Sequence, residues 1–388
     1  MFSSLVNLIH QPSLAIRVSN DDTTFNPAEF PNLVIRTQRK VQGKVRIIHG
    51  TDDSSGFAMI STRIWVHRES EKNDITVTPK FENKTLTFII EGPSRISSFN
   101  IYHETTIQIP HSTEFMGNLK LEAPNTSLSG EDLDRLTWAS VKSDFSNSAI
   151  AIQTLRADII ELRTSNANIA GAFEAGHIEL ITSNASIFAK IKILEARDGR
   201  QSTVTTKTSN AQINLHVDAA SASQGIRMDT TTKNGKVIIG ALLGPSVKSS
   251  YASMSTTNAR IEFNMDASQS GQPLDVNAKT SNSTIIASIM PPKNQFFKGS
   301  AFTTNASIAF NLTEDYFGQI DIDTSNANAI IEGSEIVLDI DKKASKHGRR
   351  GFGPGQVVLG TSNSSSTLRF YPVGENLPIT SNAPVETW

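Results

Sequence analysis

A short phrase of the form Thr-Ser-Asn-small-x-aliphatic recurs along the chain and restricts its possible folds more than any other feature. In every copy Thr stands two residues before the Asn, and Ala, Ser or Gly follows it. From Asn210 to Asn282, three successive spacings are 24 residues each. A fixed pattern at such spacing indicates a repeat protein. The asparagines of the ten copies are Asn166, Asn184, Asn210, Asn234, Asn258, Asn282, Asn305, Asn326, Asn363 and Asn382.

Within each copy the apolar residues alternate with polar ones. The segment 259–263 reads Ala-Arg-Ile-Glu-Phe, with apolar side chains three and five residues after Asn258. A period of two is typical of a half-buried strand. Repeats of 18 to 26 residues that are rich in strand suit one coil of a solenoid, whereas propeller blades need roughly 40 residues. We therefore predict an all-β parallel β-solenoid (β-helix) of about ten coils.

The repeated Asn is explained by stacking of the corners. Asn tolerates the left-handed conformation of a sharp turn. In stacked coils about 4.8 Å apart, each amide can also donate to one neighbour and accept from the other. We expect these asparagines to form a partly buried structural ladder, with the Thr methyl group packed against the next coil. The alternative is a set of tight turns in a β-sandwich or barrel, but such turns would vary among Asn, Gly and Asp.

The phrase is absent from residues 1–118, which still read as strands punctuated by Pro and Gly. The spacing there resembles hairpins, so we predict a β-sandwich-like N-terminal region, 1–118, that caps the solenoid, 119–388. Asn125 and Asn147 are interpreted as degenerate early copies. The basic, Gly-rich stretch near 342–356 is predicted to be a flexible inserted loop. Trp388, with nearby prolines, is the candidate C-terminal cap.

The Thr-Ser-Asn-Ala-x-Ile phrase, following a β-rich opening that contains Ile107-Gln108-Ile109-Pro110, resembles a known family. It looks like the adhesin-like β-solenoid domains of unknown function found in bacteria and, in a separate branch, in fungi. Bacterial members usually carry Gly where this chain has Ala, so the chain is more similar to the fungal branch. The resemblance covers about residues 100–388. It implies a solenoid without known enzyme activity, established ligand or catalytic residues.

Composition excludes several classes of function. The chain has no Cys, which excludes disulfides, thiolate zinc sites and Cys nucleophiles. The formal charge of -2 gives no bulk attraction to nucleic acid. The sequence also shows no apolar run long enough to span a membrane and no clear signal peptide. Several Asn-x-Ser/Thr sequons coincide with the repeated phrase. Because glycosylation there would disrupt a ladder, an intracellular location is favoured.

One group of carboxylates is a candidate site. Asp321 and Asp323 share one face of a predicted strand, and Asp339 and Asp341 repeat the pattern 18 residues later. If the segments stack, the four side chains could bind Ca²⁺ or act as general acids. The other interpretation, which the sequence favours, is a solvent-facing surface without a metal. The eight histidines show no ligand spacing, and no cofactor motif is present.

These observations favour a non-enzymatic scaffold or adhesin-like binding surface, with a glycan or another protein as the partner. The alternative is a carbohydrate-active β-helix enzyme, similar to a polysaccharide lyase or hydrolase. Such an enzyme would need a groove lined by carboxylates, Arg or aromatic residues, and aromatic residues are only 7% of the chain. The sequence leaves the ligand and the oligomeric state open.

Overall fold

The computed structural model describes residues 16–18, 22–38, 41–50, 56–93, 101–197 and 199–372. They fall into two compact units, divided between Gly171 and Ala172. The strands of unit 1 are β1 Ile16–Val18, β2 Thr23–Phe25, β3 Asn32–Gln38, β4 Val41–His49, β5 Ala58–Val66, β6 Thr76–Glu82, β7 Thr85–Glu91, β8 Ile101–Ile109, β9 Phe115–Glu122, β10 Asn125–Glu131, β11 Thr137–Asp144 and β12 Ile150–Arg163.

Unit 2 begins within β13 and consists of strands joined by corners and loops. Its strands are β13 Ile169–Ala175, β14 His177–Ile181, β15 Ile187–Ile193, β16 Ser202–Lys207, β17 Ile213–Ala219, β18 Ile226–Thr231, β19 Val237–Leu243, β20 Ser250–Ser255, β21 Ile261–Asp266, β22 Leu274–Lys279, β23 Ile285–Met290, β24 Phe297–Thr303, β25 Ile308–Thr313, β26 Gly318–Thr324, β27 Ala329–Glu332, β28 Ile336–Asp341, β29 Ser345–Arg350, β30 Gly355–Thr361 and β31 Ser366–Tyr371.

Helical structure in the described part of the chain is limited to two short 3-10 helices, Glu69–Asp74 and Leu133–Arg135. Neither is long enough to cross a bilayer, and no other helix of the described ranges has that length and apolarity.

Each coil of unit 2 has two strands joined by one copy of the Thr-Ser-Asn corner. Strands β14, β16, β18, β20, β22 and β24 pair in parallel to form the front sheet. The strands that follow each corner, from β15 to β25, pair in parallel to form the back sheet. The register is constant, because Ile213 lies beside Val237 and Val237 beside Ile261. The prediction of an all-β parallel solenoid is confirmed.

The core of unit 2 lies between the two sheets. In the coils from Asn184 to Asn305, the aliphatic residue three positions after each Asn is buried, as in Ile213, Val237 and Ile261, and so is the residue two positions further on. Intervening side chains face outward, giving the alternating burial expected of a pleated strand with one face on a core. A one-residue slip would expose these rows, so the alternation fixes the register of the stack.

Unit 1 also contains parallel coils, combined with antiparallel strands. The coil formed by β3 and β4 pairs in parallel with β7 and β8 on one side and with β9 and β10 on the other. Strands β5 and β6 then add to β8 and β7 in antiparallel orientation. The boundary predicted at residue 118 falls inside β9.

The stretch predicted as a flexible loop near 342–356 is a strand over much of its length, so that prediction is wrong. β29 pairs in antiparallel orientation with both β26 and β28. Two of its basic side chains are accommodated because they lie beside a carboxylate or a buried carbonyl group. Lys346 pairs with Asp341, and Arg350 donates to the carbonyl oxygen of Tyr316 at 2.8 Å.

Candidate functional site

The repeated asparagines lie at one corner of the coils and are joined through their side chains. In unit 2 the Nδ2 of every repeated Asn from Asn210 onward donates to the Oδ1 of a neighbouring Asn at 2.7–2.9 Å. In unit 1 Asn166 donates to Asn147, and Asn147 donates to Asn125. The order in unit 2 is Asn184, Asn210, Asn234, Asn258, Asn282, Asn305, Asn363 and Asn326. Asn382 lies outside the described residues.

Two expectations about these asparagines are wrong. They are exposed, not partly buried, and none of those in the described residues has a positive φ. The corner bends without a left-handed residue because consecutive amides share one acceptor in the next coil. The backbone N–H groups of Ser209 and Asn210 both donate to the carbonyl oxygen of Ser183, and Thr257 and Asn258 share the carbonyl of Lys233 in the same way.

The Thr two residues before each Asn is the buried member of the phrase. Its hydroxyl donates to carbonyl oxygens of the adjacent coil, as Thr256 does to Lys233 and Gly235 at 3.3 Å. Thr208 and Thr280 make equivalent pairs of hydrogen bonds. The role of Thr is therefore to satisfy backbone acceptors at the corner, in addition to filling space with its methyl group.

A groove of about 340 Å³ lies beside this corner on the outer surface of unit 2. We call it the corner groove, and it is lined by residues 279–281, 302–304, 360–362 and 323–325 of four adjacent coils. The threonines at the centre of each triplet are buried and bonded to backbone. The accessible polar groups therefore come from the first and third residues, which include Lys279, Asp323 and four Ser or Thr hydroxyls.

An aromatic ring forms the apolar part of the corner groove. Phe302 lies in a row across the front sheet with Lys279 on one side and Gly360, then Asp323, on the other. A Cβ atom at Gly360 would lie 2.8 Å from Cδ1 of Phe302. The absence of a side chain at Gly360 therefore leaves the space into which the ring extends. Phe302 remains 38% exposed, so one ring surface faces solvent.

A cluster of four polar residues borders the Asp323 end of the groove. Cross-strand pairing places Asp321 opposite His347 and Asp323 opposite Ser345. Nδ1 of His347 lies 3.0 Å from Asp321, and Nε2 lies 3.0 Å from Asp323 and 2.7 Å from the hydroxyl of Ser345. Ser345 donates to Asp323 at 2.8 Å. We call these residues the His347 cluster.

The His347 cluster contains Ser, His and Asp, but its hydrogen bonds do not suit nucleophilic catalysis. An active serine needs a neutral Nε2 that accepts its proton. Here Nε2 also faces the carboxylate of Asp323, and the Ser345 hydroxyl donates to that same carboxylate. Two carboxylates around one imidazole favour imidazolium, which donates from both nitrogens. The geometry fits a charge-paired anchor for β29.

Electrostatics supports that assignment. Partial burial lowers the pKa of His347, but hydrogen bonds and charge attraction from Asp323, and then from Asp321, outweigh it. The net effect raises the pKa of His347 above its ordinary value of 6.5. The imidazolium form is therefore favoured at neutral pH more than in a free histidine.

The four carboxylates predicted to cluster are not brought together. β29 lies between β26 and β28 and separates the pair Asp321 and Asp323 from the other two. Asp341 pairs with Lys346, while the register shift between Leu338 and Ile340 places Asp339 in a bulge. Among the residues that the structure describes, no group of three or more His, Asp or Glu side chains is arranged to hold a metal ion.

Sequence reasoning missed Phe302 and Gly360, and of the His347 cluster it singled out only Asp321 and Asp323. Aligning the copies by their Asn would have placed Lys279, Phe302, Gly360 and Asp323 in one column, immediately before the Thr. Their order across the sheet could not be read in that way, because the coil that carries Gly360 stacks out of chain order.

Comparison with known proteins gives only distant likenesses. No sequence-family profile and no curated protein matches the chain. A putative cell adhesion protein from Clostridium sporogenes is 7% identical, over 91% of this chain and 99% of that one, with a TM-score of 0.17. A putative adhesin from Parabacteroides distasonis is 11% identical, over 76% and 94%, with a TM-score of 0.30. One from Bacteroides fragilis is 10% identical, over 91% and 97%, with a TM-score of 0.27.

Proposed function

We propose that this chain is a non-enzymatic binding protein that holds a saccharide in the corner groove. The observation that carries the proposal is the exposed ring of Phe302, set between hydroxyl-bearing corners and flanked by Lys279 and Asp323. Aromatic rings offer a flat apolar surface to the C–H face of a sugar. The surrounding hydroxyl, ammonium and carboxylate groups can exchange hydrogen bonds with its hydroxyls.

The size and charge of the groove narrow the class of ligand. A volume of about 340 Å³ is at the lower end for small-molecule sites, which suits a short saccharide segment. The groove is open, so the rest of a longer polymer could continue along the coils. One cation and one anion stand in the same row, which favours a ligand with many hydroxyls and little net charge.

This proposal keeps the adhesin-like binding role predicted from the sequence, with a saccharide as the recognised partner. It differs from the alternative, a carbohydrate-active β-helix enzyme, in the chemistry available at the groove. Glycoside hydrolysis needs one carboxyl group that donates a proton and one that remains ionised. Asp321 and Asp323 instead have the same imidazole ring, that of His347, as a hydrogen-bond partner, so the two carboxyl groups are not set apart for different roles.

The test is a glycan array probed with fluorescently labelled protein, followed by calorimetry on the best ligand. We expect Phe302→Ala to weaken binding at least tenfold, because the apolar contact surface is lost. Phe296→Ala is the matched control, since Phe296 is 39% exposed but does not line the groove. Absence of any saccharide above background, or equal binding by Phe302→Ala, would contradict the proposal.

A product assay on the same ligands separates the two functions. Mass spectrometry of saccharides incubated with the protein should show no chain cleavage. Turnover that Asp321→Ala abolishes would establish the enzyme alternative in place of simple binding.

A further inference from the structure

The last described coil of the chain does not stack in sequence order. β30 pairs in parallel with β24 on one side and with β26 on the other. β31 in the same way lies between β25 and β27. The coil 355–371 therefore fills a slot between the coil 297–313 and the coil 318–332, which come before it in the chain.

This coil fits the slot in two respects: its strands are in register with the strands on either side, and its corner phrase stacks on theirs. Val357, Leu359 and Leu368 are buried in it. Asn363 donates to Asn305 and accepts from Asn326, which continues the row of hydrogen-bonded asparagines on both sides. None of these contacts depends on which molecule supplies the coil, so the same segment of another copy would make all of them.

The connection into the slot suits exchange. Residues 351–354, Gly-Phe-Gly-Pro, join β29 to β30, and Phe352 is 86% exposed. Gly351 has φ 56°, a conformation that Gly adopts without strain. Among the described residues, only this short segment would change its path if the coil entered a second molecule. A coil in the middle of the stack would instead take every later coil with it.

The order of synthesis also presents the slot to other molecules. The coil 318–332 and the strands β28 and β29 precede the coil that lies beneath them. Until residues 355–371 enter, the facing edges of β24 and β26 carry unpaired backbone groups, which readily accept another strand.

We propose that this slot is an interface that accepts the coil 355–371 of a second copy of the chain, giving a strand-exchanged dimer. A second copy is the fitting occupant because the slot needs two strands joined by a Thr-Ser-Asn corner. Thr361 donates to Ala306 at 3.0 Å, and Asn363 bonds on both faces. Gly360 to Ser362 also line the corner groove, so in the dimer each groove is built from two chains.

Cysteine substitution tests the exchange, because the chain has no native Cys. Lys298 lies directly opposite Gln356 across the β24–β30 pair. Neighbouring strands are about 4.8 Å apart, within the Cα separation of about 4.4–6.8 Å that a disulfide spans. Full-length Lys298→Cys and Gln356→Cys chains are mixed in denaturant, refolded together at several protein concentrations, oxidised and separated without reductant.

We expect a linked species of two chains whose fraction rises with protein concentration, with the 298–356 disulfide identified by peptide mapping. The matched control is Ser253→Cys mixed with Asn277→Cys, an opposed pair in coils that follow chain order. No excess of linked chains over this control would overturn the proposal, provided that the double variant Lys298→Cys/Gln356→Cys closes its disulfide within one chain.

Shortening the connection gives a second readout without cysteine chemistry. Deleting Phe352 and Gly353 should hinder return of the coil into its own slot and convert most of the protein to dimer, measured by light scattering after size exclusion. A protein that remains monomeric and folded after this deletion would also contradict the exchange.

Discussion

At the scale of single residues, the repeated phrase divides its work between a buried and an exposed side chain. The buried Thr satisfies carbonyl groups of the neighbouring coil, while the exposed Asn links amide to amide along the surface. The Thr and the Asn contribute unequally to the free energy of unfolding, because Thr is buried and Asn is exposed. A hydrogen-bond acceptor left unsatisfied inside the protein destabilises it more than an acceptor that water can reach. The Thr is therefore expected to matter more for stability, although the Asn is the more conspicuous residue in the sequence.

The first prediction compares these two positions in one corner. Thr256→Val keeps the shape of the side chain but leaves the buried carbonyl of Gly235 without its hydroxyl donor, while the carbonyl of Lys233 keeps its two backbone donors. We expect a loss of about 1–3 kcal/mol in the free energy of unfolding. Asn258→Ala removes exposed hydrogen bonds and should cost less, at about 0.5–1.5 kcal/mol. Urea unfolding of both variants measures the difference, and an equal or reversed order would contradict this division.

The second prediction concerns His103, whose ring is enclosed in unit 1. Nδ1 lies 2.9 Å from the hydroxyl of Thr105, and Nε2 lies 3.0 Å from that of Thr126. Burial lowers the pKa of His103 to about 3. Below pH 6.5 the unfolded chain binds a proton that the folded chain does not, so stability falls as pH decreases toward 3.

The expected slope from His103 is about 1.4 kcal/mol for each pH unit in that window. Urea unfolding of unit 1 between pH 6.5 and pH 4 measures this slope. The comparison is His103→Gln, because Gln keeps polar groups at this position but does not titrate in that range. The variant should show a shallower dependence on pH than the wild type. Parallel curves for the two proteins would show that His103 does not carry the effect.

At the scale of elements, the antiparallel pair β28 and β29 shows how a polar segment is held on a parallel stack. Arg350 is buried and donates to the carbonyl oxygens of Ser334 and Tyr316 at 3.1 and 2.8 Å. Its guanidinium also lies over the rings of Phe317 and Phe370. At the other end of β29, the His347 cluster ties the strand to β26. The element thus depends on fixed charged groups more than on apolar burial.

The third prediction removes one of these anchors. Arg350→Met should leave buried carbonyl groups without a donor and lower the local stability of β28 and β29 by about 2–4 kcal/mol. Hydrogen–deuterium exchange of residues 334–350 should rise strongly, while residues 226–290 keep their protection. Arg349→Met, at the exposed neighbouring position, is the control and should change little. Equal exchange in the two variants would show that Arg350 does not anchor the element.

The same element marks the limit of prediction from sequence. The solenoid could be predicted because each copy carries the same local sequence pattern. That pattern gives a strand of alternating polarity and a corner that stacks on an identical corner. β29 has no such pattern, and its Lys, His and Arg residues read as a solvated loop. They form a strand only because Asp321, Asp341 and buried carbonyls lie opposite, which is tertiary information. The corner groove was missed for the same reason, since Gly360 reaches Phe302 by stacking out of order.

At the scale of the whole chain, both units contain a coil that lies between two coils remote from it in sequence. In unit 1 this coil is β3 with β4, and in unit 2 it is β30 with β31. In both units antiparallel strands then add on one side of this arrangement: in unit 1, β5 pairs with β8 and β6 with β7, and in unit 2, β29 pairs with β26 and β28 with β29. Antiparallel additions can end a parallel stack without leaving a long flat edge.

The central coils of unit 2 follow chain order, and this leads to the fourth prediction. If each coil contacts only its neighbours, a complete coil can be removed without changing the others. Deletion of residues 259–282 takes out β21 and β22, joins Asn258 to Ser283 and brings β23 beside β19 in the same register. The deletion also removes Glu262 together with Arg260, its ion-pair partner within the coil. We expect a soluble protein with a cooperative unfolding transition and a midpoint close to that of the full chain.

Deletion of residues 259–270 is the matched control, because it removes half a coil. It would place β22 in the position of a back-sheet strand and move Asn282 out of the row of hydrogen-bonded asparagines. A front-sheet strand placed in the back sheet would meet different neighbouring residues along its whole length. No shift of its register could then restore both the buried rows of the core and the stacked corner. This shorter deletion should abolish cooperative unfolding or solubility, as measured by circular dichroism and urea titration. If both deletions are tolerated equally, the coils are not the units of stability. If only the protein with the 24-residue deletion folds, the unit of stability is the repeat that runs from one corner to the next.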